Sequence, residues 1–295
     1  MKKLSIVTGL AFAVLAIIGC TQESGEKQEH SSISDFIYPD QFICADKPLK
    51  ITHINDHITD PKSNQQQSEA ALTYSADGFL QKIVDSKNPS SNTTLYYKEQ
   101  TFRISRDTLI YEHPAPTGGG GALYAWVRYE KGLIVEGGEV EARGKNKNIR
   151  YRFENNAKGK PVSVYATDLK KNTPEAIMWE LNWSDDGCLQ SQTKWVGGEK
   201  GYDYVFKYDF EVNNTLFINA TDLNFDFTQF FTRSSKLPSE KKRYDYEDGV
   251  KQNTPKYEYT YEYVAESDDT LVKAVENTWE SGTVQYKDTY LFKYQ

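Results

Sequence analysis

From about Phe36 to the C-terminus the chain alternates apolar and polar side chains with a period of two. Across residues 201–211, Tyr202, Tyr204, Phe206, Tyr208 and Phe210 fall on one side and mostly charged residues on the other. Tyr257, Tyr259, Tyr261 and Tyr263 repeat the pattern, as do Tyr286, Tyr290, Phe292 and Tyr294. Successive side chains of a strand leave opposite faces of the pleat, so this alternation belongs to a half-buried antiparallel strand. A parallel α/β sheet needs continuous apolar strands with helices between them, and the pattern holds neither. The expected fold is all-β.

Between the strands a unit recurs: an aromatic strand end, an Asp/Asn/Gly turn, and a second strand. It appears at Tyr74-Ser75-Ala76-Asp77-Gly78-Phe79-Leu80, at Tyr129-Glu130-Lys131-Gly132-Leu133, and from Phe153 through Asn155-Asn156 to Gly159. It returns at Trp183-Ser184-Asp185-Asp186-Gly187-Cys188-Leu189 and Tyr246-Glu247-Asp248-Gly249-Val250, with weaker copies at 210–216 and 263–271. Asp-Gly and Asn-containing turns supply the positive φ of tight hairpins. The sequence therefore predicts a single antiparallel meander of hairpins forming a large curved sheet or open barrel-like roll; periodicity does not say whether it closes. One short helix is expected near 222–234, capped by Asp222, with Leu223, Phe227, Phe230 and Phe231 on its apolar side. Loops are expected at 89–92 and 114–121, where proline and glycine gather. No composition break divides the body of the chain.

Composition agrees with strands: 21 Tyr and 14 Phe stand against 2 Met in 295 residues. The formal charge of −7 becomes two units more negative when Lys2 and Lys3 leave with a leader. An acidic chain repels phosphate backbones, which argues against nucleic acid as a partner.

The first residues differ from the rest. Lys2 and Lys3 precede an apolar stretch from Leu4 to Ile18, then Gly19 and Cys20. This is the three-part build of an export signal, and it is short for spanning roughly 30 Å of hydrocarbon. Ile17-Ile18-Gly19-Cys20 resembles the bacterial lipobox. The resemblance implies cleavage after residue 19, a diacylglycerol thioether and usually an amide-linked chain such as palmitate on Cys20, and stable attachment to a membrane. Residue 21 is Thr rather than Asp, which by the same resemblance favours the outer membrane of a Gram-negative cell, on its periplasmic face or its surface. Residues 20–34 are polar and aperiodic and read as a lipidated tether. The expected organisation is thus a signal peptide over 1–19, a tether over 20–34 and a β-sheet domain over 35–295.

The repeated aromatic-x-x-Asp-Gly-x-Leu unit resembles the YD-type hairpins of Bacteroidetes extracytoplasmic proteins. The last third is similar to a lipoprotein family of unknown function with a porin-like antiparallel β-sheet. That similarity is carried by Ala220-Thr221-Asp222-Leu223-Asn224, Ser235-Lys236-Leu237-Pro238-Ser239-Glu240-Lys241 and Tyr257-Glu258-Tyr259-Thr260-Tyr261-Glu262-Tyr263. At the final turn Glu266-Ser267-Asp268-Asp269 replaces the family's Asp-Gly. The resemblance implies fold and location, and it transfers no catalytic residue.

Candidate chemistry is sparse. Cys44 and Cys188 are the two cysteines left besides the anchor and form a candidate disulfide, with two buried thiols as the plainer alternative. His53, Asp56 and His57 would align for a metal on a helix, but the segment reads as a strand, which holds positions i and i+4 about 13 Å apart. No metal site and no cofactor is expected. Gly118 to Gly121 lacks the Lys-Ser/Thr of a phosphate loop. Trp126, Trp179, Trp183, Trp195 and Tyr204 lie in strand-like contexts and are the candidate ligand-binding residues if they reach an exposed face; core packing is their alternative role.

These readings lead to a non-enzymatic, membrane-anchored binding or structural module with a glycan, peptide or protein ligand. A lipid or lipoprotein carrier with an apolar curved sheet is the second expectation. A hydrolase with dispersed carboxylates is the third, since a carboxylate pair is a spatial feature that sequence spacing does not reveal.

Overall fold

The computed structural model describes residues 51–59, 66–75, 80–85, 99–113, 123–141, 148–209, 227–265, 271–280 and 282–294. The leader, Cys20, the tether, Cys44 and the 114–121 loop fall outside these residues.

The described chain is almost entirely strand: Ile51–Thr59 (β1), Gln66–Tyr74 (β2), Leu80–Asp85 (β3), Glu99–Ser105 (β4), Thr108–His113 (β5), Leu123–Glu130 (β6), Leu133–Glu141 (β7), Asn148–Asn155 (β8), Pro161–Asp168 (β9), Ala176–Trp183 (β10), Leu189–Val196 (β11), Glu199–Lys207 (β12), Glu240–Glu247 (β13), Val250–Lys251 (β14), Tyr257–Ala265 (β15), Leu271–Glu280 (β16) and Thr283–Tyr294 (β17). All belong to one sheet. Each strand pairs antiparallel with the next, except that the two-residue β14 folds back on β13, which pairs onward with β15. β1 carries a ladder on both edges, to β2 and to β17. The first and last strands of the meander are therefore neighbours, and neither is left with a bare edge that could recruit another chain.

The turns form where the side-chain chemistry asks for them. Lys131-Gly132 joins β6 to β7 with φ of 51° and 80°, and Asp248-Gly249 joins β13 to β14 with 50° and 76°. Both are the doubly positive φ of the hairpin turn whose twist matches the strands. In the β8–β9 turn the Asn156 side chain accepts from the amides of Lys158 and Lys160, each at 3.0 Å. The helix expected over 222–234 is present as a single 3₁₀ turn, Phe227–Phe230, with 222–226 outside the described residues. Its aromatics do what the apolar side of that helix would have done: Phe227, Phe230 and Phe231 are buried, and Phe227 stacks on Tyr151 with ring centres 4.2 Å apart.

The two faces differ in kind. The inner face carries one continuous apolar cluster from β2 to β11, with the 227–237 segment and residues of β16 and β17. The outer face carries charges at the alternate positions. Arg103 pairs with Glu112 at 3.3 Å, Arg128 with Glu136 at 3.2 Å, Arg152 with Glu175 at 2.8 Å and Lys242 with Glu258 at 3.4 Å. Exposed pairs contribute about 0–1 kcal/mol each; their importance is that they fix this face in water.

The register also fixes the two ends of the roll. Ile51 pairs with Tyr294, so the start of β1 and the end of β17 share one end with the β6–β7, β8–β9 and β10–β11 turns. The segment 227–239 closes against that same end. The Ser235 amide donates to the Gly187 carbonyl, the Ser239 amide to the Lys207 carbonyl, and the Leu189 amide to Ser234 Oγ. The β11–β12 turn and the β13–β14 hairpin lie at the opposite end.

Candidate functional site

On the inner face from β10 to β17 the apolar cluster gives way to tyrosines and charges. Cross-strand register builds rows. Trp179 lies opposite Lys194, which lies opposite Tyr202. Gln192, Tyr204, Arg243 and Tyr257 form the next row. Phe206, Lys241, Tyr259, Thr278 and Tyr286 form the third. Tyr261, Glu276 and Asp288 form the fourth.

Within these rows the cations sit against rings. Lys194 Nζ lies 4.1 Å from the centre of the Trp179 ring. The Arg243 guanidinium lies 4.1 Å from Tyr202 and 5.5 Å from Tyr257. Lys241 Nζ lies 4.9 Å from Tyr204 and 4.3 Å from Tyr259. The rings also touch each other, Trp179 with Tyr202 at 6.0 Å and Tyr202 with Tyr204 at 5.4 Å, both edge to face. Each cation–ring contact supplies roughly 0.5–2 kcal/mol and holds the cation in place. Arg243 Nε donates to Asp245 at 2.8 Å, and Asp245 also meets Lys256 at 3.3 Å. Lys241 makes no ion pair among the described residues and is held by the two rings. Lys241, Tyr204, Tyr257 and Tyr259 are all partly exposed, so the wall is in reach of solvent.

Next to the cation rows, Glu276 and Asp288 oppose each other directly across β16 and β17, and both are buried. Thr278 Oγ1 donates to Glu276 at 3.4 Å. Burial, with Glu276 beside them, drives the Tyr261 and Tyr263 hydroxyls well above the ordinary tyrosine range. Burial also raises Tyr259. These hydroxyls are hydrogen-bond donors throughout the neutral range.

The five aromatics expected to bind ligand do not form one platform. Trp179 and Tyr204 are on the inner wall, bridged by Tyr202. Trp195 is on the outer face, where its Nε1 donates to Glu180 at 2.9 Å and Lys200 covers its ring at 5.5 Å. Trp126 is also outside, lying over Gly138. Trp183 sits at the end of β10, its Nε1 donating to the Pro161 carbonyl at 2.6 Å with Lys160 at 5.0 Å from the ring. Cys188 is buried, with its sulfur 3.3 Å from Ser235 Oγ, and has no disulfide partner among the described residues; Cys44, its candidate partner, lies outside them. His53, Asp56 and His57 fall on β1, which is a strand as expected.

Sequence reasoning did not single out Lys241, Arg243, Glu276 or Asp288. A signal for the first two was present. Residues 240–247 read Glu-Lys-Lys-Arg-Tyr-Asp-Tyr-Glu, a strand with charge on both faces, which has no side to give to an apolar core.

No family model and no curated protein matches the chain. Among solved structures it is similar to a porin-like protein from Bacteroides uniformis, with a TM-score of 0.54 and 10% identity over 83% of this chain and 96% of that one. A porin-like protein from Bacteroides vulgatus aligns over 83% of this chain and 98% of its own, with a TM-score of 0.49 and 12% identity. In fold, the chain is similar to porin-like proteins. Its faces are the reverse of a barrel that crosses a bilayer, which needs an apolar band outside and tolerates polarity within. Here Arg103, Arg128 and Arg152 point outward in mid-strand, while Phe102, Val127 and Phe153 are buried inside.

Proposed function

We propose that this chain is a lipid-anchored extracytoplasmic protein of the Gram-negative outer membrane, of the YD-hairpin lipoprotein type, whose roll stands in water and binds ligand on its inner wall without catalysing a reaction. The observation that carries this reading is the set of rows in which Lys194, Arg243 and Lys241 rest against Trp179, Tyr202, Tyr204, Tyr257 and Tyr259. Rings with polar rims and fixed cations suit a glycan or a peptide. They do not suit an acyl chain, so the lipid-carrier alternative loses support on this sector. Attachment through Cys20 would reach the roll at the start of β1, the end closed by 227–239, leaving the opposite end away from the membrane. A glycan and peptide array probed with the purified protein tests the reading. Tyr204→Ala combined with Tyr259→Ala should abolish the strongest signals, and an array blank for the unaltered protein would sink it.

One observation favours the hydrolase alternative. Glu276 and Asp288 form an opposed pair of buried carboxylates beside the same wall, and facing residues of an antiparallel pair have Cβ atoms about 4.5–5.5 Å apart, close enough for two carboxyls to act on one bond. Incubation of array hits with the protein decides between the two. Cleavage that Glu276→Gln removes makes it a hydrolase; unchanged ligand makes it a binder.

A further inference from the structure

The cations of the inner wall stand against the charge of the molecule as a whole. The chain has 42 acidic and 35 basic residues, yet three basic side chains converge on one stretch of the inner face. A ring face holds an ammonium by its quadrupole without cancelling its charge or occupying its N–H donors as a carboxylate would. Lys241 is held this way from both sides, so it is fixed in position while its charge stays available. Arg243 is tied through Nε to Asp245, and its guanidinium lies against the Tyr202 and Tyr257 rings.

The order of the rows gives direction. β13 runs from the end closed by 227–239 toward the opposite end, so Arg243 lies nearer that opposite end and Lys241 one row deeper. The Glu276–Asp288 pair lies one row deeper again. A ligand entering from the end away from the 227–239 segment passes the row of Lys194 and Asp245, whose carboxylate is held by Arg243 and Lys256, then meets Arg243, then Lys241, and then the buried Glu276–Asp288 pair. Two inward cations at i and i+2 of one strand are about 7 Å apart along it, a spacing that suits negative groups on neighbouring units of a chain rather than one compact anion.

Resting on the binding role proposed above, we infer that the wall takes an acidic saccharide, a sugar chain carrying carboxylate or sulfate groups, with Lys241 as the principal anion contact and Arg243 as the second. Tyrosine rings and hydroxyls on β12 and β15 meet the sugar faces and hydroxyls. The negative surface beyond the wall disfavours polyanions that must lie along the outside of the molecule, and it confines recognition to what fits inside.

Calorimetric titration of the purified protein with an oligogalacturonate, its methyl ester, a sulfated disaccharide and an uncharged oligosaccharide of equal length tests the inference. The expected result is that the acidic probes bind, that esterification weakens binding about tenfold, as loss of one charge-assisted contact implies, and that added salt weakens it further. Lys241→Gln should reproduce the loss and Lys241→Arg should restore most of the binding, with thermal unfolding verifying that both variants fold. Preference between carboxylate and sulfate identifies the source of the anion. Equal binding of the ester and the acid, or full binding by Lys241→Gln, overturns the acidic-saccharide assignment while leaving an uncharged glycan as ligand. Absence of binding to every probe overturns it as well, and a positive array result would then keep the broader binding role alive.

Discussion

A strand residue's neighbours are set by alternation, but alternation does not say which face becomes the inside. Trp126 and Trp195 point outward and Trp179 and Tyr204 inward, although all four sit in the same kind of aromatic, period-two context. The sequence marked them as aromatic strand residues and could not sort them, because the sorting depends on strands far away in the chain. The adjacent glycines of β7 show how tight the two faces are. A Cβ on Gly137 would fall 2.8 Å from Phe227 Cζ and 2.9 Å from the Trp126 carbonyl oxygen, and the second of these cannot swing away. Gly137→Ala should destabilise the protein by about 1–3 kcal/mol, read as a lower denaturation midpoint; an unchanged midpoint would show that β7 has slack. A second test concerns Asp203. Burial raises its pKa, but Lys251, Thr193 and Tyr246 outweigh burial and hold it below the ordinary 3.8. A depressed folded pKa means stability that is present above the unfolded value and is lost as pH falls through the folded one. Asp203→Asn should therefore flatten the loss of thermal stability below about pH 4, and an acid limb unchanged from the parent would remove Asp203 from that role.

At the scale of elements the hairpins were legible and the helix was not. Asp248-Gly249 and Lys131-Gly132 write their φ angles into two residues, so a turn there needs no distant information. The Arg106-Asp107 turn, with φ of 56° at Arg106, carries no such mark and shows itself only in the pairing of Ser105 with Thr108. The 222–234 segment has the spacing of an apolar helix side at Phe227, Phe230 and Phe231, and the side chains are indeed buried. Only one 3₁₀ turn forms among the described residues, and two of the rings, Phe227 and Phe231, are seated against Tyr151 and Phe153 of β8. Phe227 stacks on Tyr151 and meets Phe230 and Phe231 at 5.6 and 5.7 Å. Phe227→Ala should cost about 3–5 kcal/mol and should be measurable by chemical denaturation; a cost below that of an ordinary surface substitution would show that the segment does not hold the end of the roll. The strand 240–247 was legible as an exception, since charge on both faces marks a wall that is not core.

For the whole molecule, the ladder between β1 and β17 joins residues at the two extremes of the sheet, and no local pattern announces it. The excess of tyrosine, by contrast, was plain in the composition and has a bulk consequence. Burial lifts Tyr208, Tyr259, Tyr261 and Tyr263 above the ordinary 10.0, and Tyr246 is pushed up to about 12 by burial and by Asp203 beside it. A raised folded pKa gives stability that is complete below the unfolded value and is lost as pH rises past it. Unfolding temperature should hold steady near neutrality and fall above about pH 10, with a share of tyrosinate absorbance appearing only as the protein unfolds. Titration of every tyrosine near 10 with the fold intact would contradict the buried rows.

The charged outer face suits a roll that stands in water rather than one inserted in a bilayer, and the proposed anchor at Cys20 would be what attaches it to a membrane. Replacing residues 1–20 by an ordinary cleavable secretory leader tests it most directly, because export is kept and the acylated cysteine is lost. The expected result is a folded protein released into the soluble extracytoplasmic fraction without detergent. A protein that still sediments with membranes and needs detergent to stay in solution would contradict it.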